Sequence, residues 1–373
     1  MPLVSLELRN IRVYEHIELK PNPHLNLISG ANASGKTTLL EAIHLLSTGR
    51  SFRTTKTEQL HRIGAPGLSV AGKLQMAGGE IIRLGLIHSE EGKRASINGL
   101  EQKQVSNLAL QLPLQVISPD THYEFQQYSK HRRGVLDWGL FHVEQDFPSL
   151  WTRFQRILLQ RNTALKDGGQ LKARHVWDEE LVEIGEKLQH ARARQTAQLL
   201  PYFQLCCQQF LGKNSSVDLI LESGWEGDAG FGACLQQDRA RDSARGFTHS
   251  GPQRADLRIN LNEQASRTNA SHGQFKMLVI ALRLAQIMYL IESRNQNCCL
   301  LIDDLAAELD IEHRARLTRF LASLPIQLFI TTTESSLIDR EFWPSHDTFH
   351  VEHGTVTSQN LTRINSAESL EKC

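Results

Sequence analysis

Residues 30–37 read Gly30-Ala31-Asn32-Ala33-Ser34-Gly35-Lys36-Thr37, and no other stretch limits the possible folds as tightly. They fit G-x-x-x-x-G-K-[ST]. The two glycines let the backbone turn sharply enough for its N–H groups to face phosphate oxygens. The flanks agree. His24–Ser29 predicts a short strand entering the loop, and Thr38–Leu46 a helix leaving it. A phosphate in the loop would then sit at a helix N-terminus, where unpaired N–H groups and the helix dipole favour an anion. Gly30, Ala31, Asn32, Ala33, Ser34, Gly35, Lys36, Thr37 and Thr38 are therefore the candidate ATP-binding residues. Lys36 is expected to reach the β- and γ-phosphates, and the Thr37 hydroxyl to take Mg²⁺.

The rest of the chain places this unit. Val4–Leu8 and Ile17–Leu19 predict a hairpin ahead of the loop, either an edge for a nucleotide base to rest on or an ordinary edge hairpin. Gly49–Lys56 carries Arg50, Arg53 and Lys56 with no acid until Glu58, a plausible contact for a polynucleotide backbone or else a solvated loop. Leu68–Leu74, Glu80–Ile87, Ala95–Ile97 and Leu114–Ile117 predict strands, with turns at Gly78-Gly79 and Asn98-Gly99. From about residue 125 to 212 the pattern becomes helical, notably over Trp151–Leu165 and Trp177–Phe210, with Pro201 a possible break or kink. Lys130-His131-Arg132-Arg133 is either a solvated face or a contact for DNA or nucleotide. Gly251–Leu257 turns into a strand over Leu257–Leu261. Ser271-His272-Gly273-Gln274 precedes an amphipathic helix, Phe275–Glu292, with Ser271 a fitting N-cap.

Cys298–Ile302 is an apolar strand ending in Asp303 and Asp304. At a strand end Asp303 suits Mg²⁺ and Asp304 the polarising of an attacking water. Ala307-Glu308-Leu309-Asp310, a charged helix over Ile311–Leu324 and a buried strand over Gln327–Thr332 follow. Lys36 and Asp303 lie 267 positions apart. A helix N-terminus between them along the chain can serve a nucleotide held by a second copy, so that ATP joins two subunits and hydrolysis parts them.

Composition narrows the class. The formal net charge is zero, which argues against sequence-blind coating of nucleic acid but leaves room for a local basic patch. Residues 1–118 carry 13 Lys and Arg against 9 Asp and Glu. The six cysteines show neither zinc nor disulfide spacing, which fits reduced thiols in the cytoplasm. No signal peptide and no apolar run long enough for a bilayer are expected, so no membrane partner.

Taken together, residues 32–43, Arg132-Arg133 with Leu136-Asp137-Trp138, Gly251–Leu257, Ser271–Gln274, and Leu301–Asp304 with Glu308-Leu309-Asp310 resemble the RecF family of bacterial recombination and repair mediators over nearly the whole chain. That family belongs to the ABC-type ATPases, near the heads of SMC-type proteins. The resemblance implies an α/β fold. An ABC-type, SMC-head-like P-loop ATPase lobe with a mixed sheet (1–118 and 248–373) would be interrupted by a mainly helical lobe (119–247). It implies Lys36 and Thr37 at phosphate and Mg²⁺, Asp303 at Mg²⁺, and Asp304 with Lys36 as catalytic residues. Ser271, Gly273 and Gln274 would be a signature reaching ATP across a homodimer, and Asp310 would lie in the loop coupling the two sites. It further implies a slow DNA-dependent ATPase that binds single-stranded DNA and single-strand/duplex junctions. Such a protein acts with RecO and RecR to load RecA at gaps and supports replication restart and the SOS response.

The chain departs from the wider ABC pattern in four places. Ala33 stands where glycine is common, and Asp304 where glutamate is usual. Gln115 lies inside a strand, and Thr332-Thr333 occupy the place of a histidine. An SMC-like tether outside RecA loading is the alternative, but an insertion of about 130 residues cannot supply long heptad arms. A transporter subunit would need the missing glutamine and histidine. A P-loop kinase or nuclease would leave Ser271–Gln274 unexplained.

Overall fold

The computed structural model describes residues 2–167, 176–212, 215–226, 230–305 and 309–358. They form two compact units, one from residues 1–119 and 297–373, the other from 120–296.

The first unit holds two six-stranded sheets. In one, β1 (Leu3–Ile11), β2 (Tyr14–Leu19), β4 (Gly67–Gln75), β5 (Ile81–Ser89), β6 (Gly92–Ile97) and β7 (Leu100–Gln102) pair antiparallel in the order β2-β1-β4-β5-β6-β7. Apolar and polar residues alternate along β4, so Leu68, Val70 and Leu74 face the core. The other sheet runs β15-β14-β3-β13-β12-β8, from β3 (Leu25–Ser29), β8 (Leu114–Ile117), β12 (Cys299–Ile302), β13 (Gln327–Thr332), β14 (His346–Glu352) and β15 (Thr355–Ser358). Every pairing is parallel except the terminal β14–β15 hairpin. β3, β12 and β13 are buried at every position, as strands of a parallel sheet covered on both faces must be. Helix α1 (Lys36–Thr48) brings Leu39, Leu40, Ile43 and Leu46 into one core with Leu68 and Leu86 of the first sheet and Leu301 and Phe329 of the second. The short helices α2 (Ser106–Gln111) and α11 (Ile311–Ala322) complete the unit.

The second unit is mainly helical. Starting from α3 (Pro119–Gln127), it contains α4 (Ser129–Val143), α5 (Phe147–Lys166), α6 (Asp178–Leu211), α7 (Gly230–Gln237), α8 (Arg239–Arg245), α9 (Ser266–Asn269) and α10 (His272–Arg294). A small antiparallel sheet, β11-β10-β9, joins β9 (Val217–Glu222), β10 (Asp256–Leu261) and β11 (Gln264–Ala265). Leu140, Phe154, Ile157, Leu181, Leu188 and Phe231 form its core. Buried arginines tie the elements together. Arg132 binds Asp256, Arg161 binds Asp178 and Asp242, and Arg192 binds Asp137.

Three expectations change here. Residues 248–296 pack with the helical unit, not with the sheet-rich one, because β10 pairs along its length with β9 and α10 lies along α6. The second boundary therefore falls at 296/297 instead of 247/248. Pro201 leaves α6 unbroken over 34 residues. Both Pro201 and Ala197 are exposed, so the lost ladder bond opens toward water. Finally, α10 is long and apolar enough to cross a bilayer, contrary to the expectation that no run qualifies. Its apolar window is 72% buried inside the protein, which is the position of a core helix.

Candidate functional site: a phosphate loop at a parallel sheet edge

The parallel order β3-β13-β12 brings three carboxyl ends to one edge, where open α/β sheets bind their ligands. Ser29 feeds the loop, β13 ends at Thr331 and Thr332, and Asp303 follows β12. Backbone geometry explains both loop glycines. Gly30 sits at φ 151°, and a Cβ there would lie 2.2 Å from the Val351 carbonyl oxygen. Gly35 sits at φ 116°, and its Cβ would lie 2.7 Å from the Tyr14 hydroxyl, which donates to the Gly35 carbonyl at 3.0 Å. Gly35 is also the N-cap of α1 and offers no side chain to the helix N–H groups. Ala33 takes φ 61° without a glycine's freedom, a conformation worth roughly 1–2 kcal/mol of strain.

The side chains are already engaged with one another. Lys36 Nζ donates to the carbonyls of Gly30 at 2.7 Å and Ala31 at 2.8 Å. Burial holds its pKa below the ordinary lysine value, against the opposing pull of Asp304 and Asp303. The Thr37 hydroxyl donates to Asp303 Oδ1 at 2.9 Å, and Thr331 donates to the same oxygen at 2.7 Å. The Thr331 hydroxyl accepts the Asp304 N–H at 2.8 Å and so pins Asp304, whose backbone is left-handed at φ 53°. Among the described residues Asp303 Oδ2 receives no hydrogen bond, and the buried Ser34 hydroxyl has no partner. Paired hard oxygens from Thr37 and Asp303 suit Mg²⁺.

A cleft of about 620 Å³ opens beside Lys36, Thr37 and Thr38. Its far wall is the turn between β1 and β2, with Arg12 and Val13, together with Arg53 and His61. The hairpin thus meets the loop through its turn rather than along an edge. Sequence reasoning gave Arg12 no role. Its guanidinium donates to the fully buried Glu41 at 2.8 Å, and Ser51 donates to the same carboxylate oxygen at 2.6 Å. A carboxylate between Leu40 and Ala42, inside an apolar helix run, was the available signal.

The other expected residues are distributed as follows. Arg50, Arg53 and Lys56 are all exposed, and Arg53 leans toward Glu41 at 3.9 Å. Arg132 and Arg133 do not form a surface patch. Arg132 is 3% exposed, grips both Asp256 oxygens at 2.6 and 2.8 Å and donates to the Phe125 carbonyl, while Arg133 donates to the Ala255 carbonyl. Asp310 caps α11, accepting the His313 N–H at 2.9 Å, and its pKa is lowered first by that bond. Ala307 and Glu308 lie outside the described residues. In the second unit Ser271 caps α10. Its hydroxyl accepts the Gln274 N–H at 3.2 Å while the Gln274 side chain accepts the Ser271 N–H at 2.9 Å, a reciprocal box that S-x-x-Q spells out. Ser271, Gly273 and Gln274 are exposed, with open space around Gly273. Gln115 is buried in β8, and the Thr332 hydroxyl turns to the Glu334 carbonyl.

A phosphate loop, a strand-end aspartate and a second antiparallel sheet packed on the same helix define an SMC-head-type P-loop ATPase fold. Residues 2–356 match the family described as RecF/RecN/SMC N terminal domain. The chain is 38% identical over 357 residues to the DNA replication and repair protein RecF of Thioalkalivibrio sulfidiphilus, covering 95% of this chain and 99% of that one. It is 37% identical over 366 residues to RecF of Marinomonas sp., covering 98% of each. A solved structure of the recombination mediator protein RecF with ATP, described within the RecFOR pathway, superposes with a TM-score of 0.86 at 24% identity over 96% of this chain and 98% of that one. An Smc head bound to the C-winged helix domain of ScpA gives 0.60 at 16%, over 97% and 98%. The chain belongs to the RecF family of DNA replication and repair proteins, within the RecF/RecN/SMC group.

Proposed function

We propose that the chain is a slow, DNA-dependent ATPase that closes as an ATP-held homodimer on DNA during repair and recombination, and that hydrolysis releases the pair. The bond from Thr37 to Asp303, beside Lys36 at the edge of a parallel sheet, is the observation that carries this reading. Lys36 would exchange its loop carbonyls for the β- and γ-phosphates. Thr37 and Asp303 would hold Mg²⁺, which offsets charge on the phosphate oxygens. Asp304, with its backbone pinned and its side chain half exposed, would orient the attacking water. An aspartate sets its carboxylate back from a glutamate's by about 1.5 Å, one carbon–carbon bond. A shift of about 1 Å can slow a reaction on the order of a hundredfold, which supports slow turnover.

The exposed N-terminus of α10, with Ser271, Gly273 and Gln274, would meet ATP held by a second copy, and Asp310 would couple the two sites. The RecFOR pathway named for the solved relative supports work with RecO and RecR, and hence loading of RecA at gaps. The preference for single-stranded DNA and single-strand/duplex junctions is part of the same proposal. Arg50, Arg53 and Lys56 would be DNA contacts.

Sedimentation of the full chain with ATP, with and without DNA, tests the clamp. ATP is expected to produce a dimer that Lys36→Arg weakens, Ser271→Arg abolishes and Asp304→Asn prolongs. A chain that binds ATP yet stays monomeric on DNA would refute the mechanism. A dimer that forms normally while leaving RecA loading unchanged would favour the tethering alternative.

A further inference from the structure

The second unit contains a cleft of about 920 Å³ that none of the ATPase chemistry uses. Arg241 and Arg245 enter it from one face of α8, one helical turn apart, and Arg254 enters from the short turn over Pro252–Arg254. All three are exposed, and among the described residues none of the three guanidinium groups has an ion pair or hydrogen bond. Arg132, Arg161 and Arg192 of the same unit contrast with them, being buried on carboxylates.

Aromatic rings line the same cleft. Phe247 stacks on His249 with ring centroids 4.2 Å apart, the Arg254 guanidinium lies 5.5 Å from the Phe247 centroid, and Trp225 lines the same cleft. His249 is nine-tenths buried. Its Nδ1 is bound to Asp242 at 2.9 Å, and its Nε2 has no partner. Of the three acids of the cleft, Glu222 has a cationic partner. Glu222 pairs with Arg258, and Asp238 accepts the Ser250 hydroxyl at 2.5 Å, leaving Glu226 at the rim.

The turn carrying Arg254 is held from behind. Arg192 donates to the Pro252 carbonyl at 2.7 Å, Arg133 to the Ala255 carbonyl at 2.6 Å, and the Gly251 N–H to the Gly224 carbonyl at 2.9 Å. Gly224 has no room for a Cβ, which would lie 2.4 Å from the Ala255 nitrogen. The stretch Gly251–Leu257 therefore has an inner side braced by Arg192 and Arg133 and presents Arg254 outward.

We infer that this cleft binds single-stranded nucleic acid, with Arg241, Arg245 and Arg254 on consecutive phosphates and a base stacked against the Phe247–Arg254 pair. Unpaired guanidinium groups interleaved with aromatic faces are what a sequence-tolerant single-strand site requires. The inference rests on the DNA-binding part of the proposed function and moves the principal contact away from Arg50, Arg53 and Lys56.

The test is anisotropy of a labelled oligo-dT on the full chain, run beside an abasic oligomer of equal length and a poly-glutamate competitor. Arg241→Ala/Arg254→Ala breaks no ion pair, so the fold should survive, and an unchanged thermal midpoint checks this. The double variant should bind oligo-dT roughly tenfold more weakly, with the salt slope reduced by about 0.7 for each arginine removed. Phe247→Leu should weaken oligo-dT by about five- to a hundredfold and leave the abasic oligomer unaffected. If wild type binds oligo-dT and both variants match it, the cleft is not the site. If wild type binds no DNA, the DNA-binding reading itself fails. If poly-glutamate displaces oligo-dT at lower charge concentration and the variants lose only the peptide, the cleft is a protein-docking site and the inference is overturned.

Discussion

Arg132 and Lys36 are both cations inside their respective units, and they differ in what holds them. Arg132 is fixed by a carboxylate and two carbonyls, so any motion breaks a charged pair in a low-dielectric setting. Lys36 is held by two neutral carbonyls of its own loop, with Asp303 and Asp304 nearby but unbonded to it. The helical unit uses its buried arginines for fixity. The sheet edge keeps its charges in weak mutual bonds that a phosphate can replace. The same residue types therefore give a fixed scaffold in one unit and an exchangeable set of bonds in the other, according to whether the partner is an ion or a dipole.

That contrast predicts a graded set of effects. Arg192→Ala leaves Asp137 without its two guanidinium bonds and should cost about 3–5 kcal/mol, read as the denaturant midpoint of the full chain, whereas Lys36→Ala should shift it by less than about 1 kcal/mol. Equal losses would erase the distinction. Asp303→Asn should lower ATP turnover by about a hundred- to a thousandfold with the fold intact, and turnover near wild type would remove Asp303 from the chemistry.

His142 sharpens the scaffold side. Its ring lies 4.5 Å from Trp138 and 5.1 Å from Phe141, and burial pushes its pKa down to about 4. The unfolded chain, with a histidine near 6.5, binds more protons between those values. Stability should therefore fall as pH drops from about 6.5 to 4, by up to about 1.4 kcal/mol per unit from this group. His142→Leu should flatten that slope, and an unchanged slope would mean that the ring is not held neutral. The smallest effect belongs to Ala33→Gly. Relief of the left-handed strain is partly offset by glycine's greater freedom when unfolded, so a gain below about 1 kcal/mol is expected in thermal melts. A loss would mean that the alanine methyl packs favourably.

The sheet edge was legible because its requirements are local. Gly30 and Gly35 are dictated by their own φ angles and close contacts, and an apolar run ending in Asp303 can serve only as a buried strand with a polar end. The capping of α10 was legible for the same reason, since Ser271 and Gln274 are one turn apart. What could not be read depends on distant partners. Nothing in Lys130–Arg133 distinguishes it from Arg50–Lys56, because the carboxylate that buries Arg132 lies 124 positions away at Asp256. The boundary at 247/248 failed similarly, since β10 takes its place from a pairing with β9 that no local pattern announces. α2, at six residues, is too short to carry a periodic signal, and β14 opens on the polar His346-Asp347-Thr348.

The two bonds from Lys36 to the Gly30 and Ala31 carbonyls have a kinetic meaning as well. The ammonium closes the ring of its own loop and ties Gly30 and Ala31 to the first turn of α1. Loading then exchanges one set of bonds for another around a backbone already in shape, rather than folding a loop around its guest. Under the proposed function, refilling after each release would be set by how often a nucleotide arrives, and the time spent empty would shorten as its concentration rises.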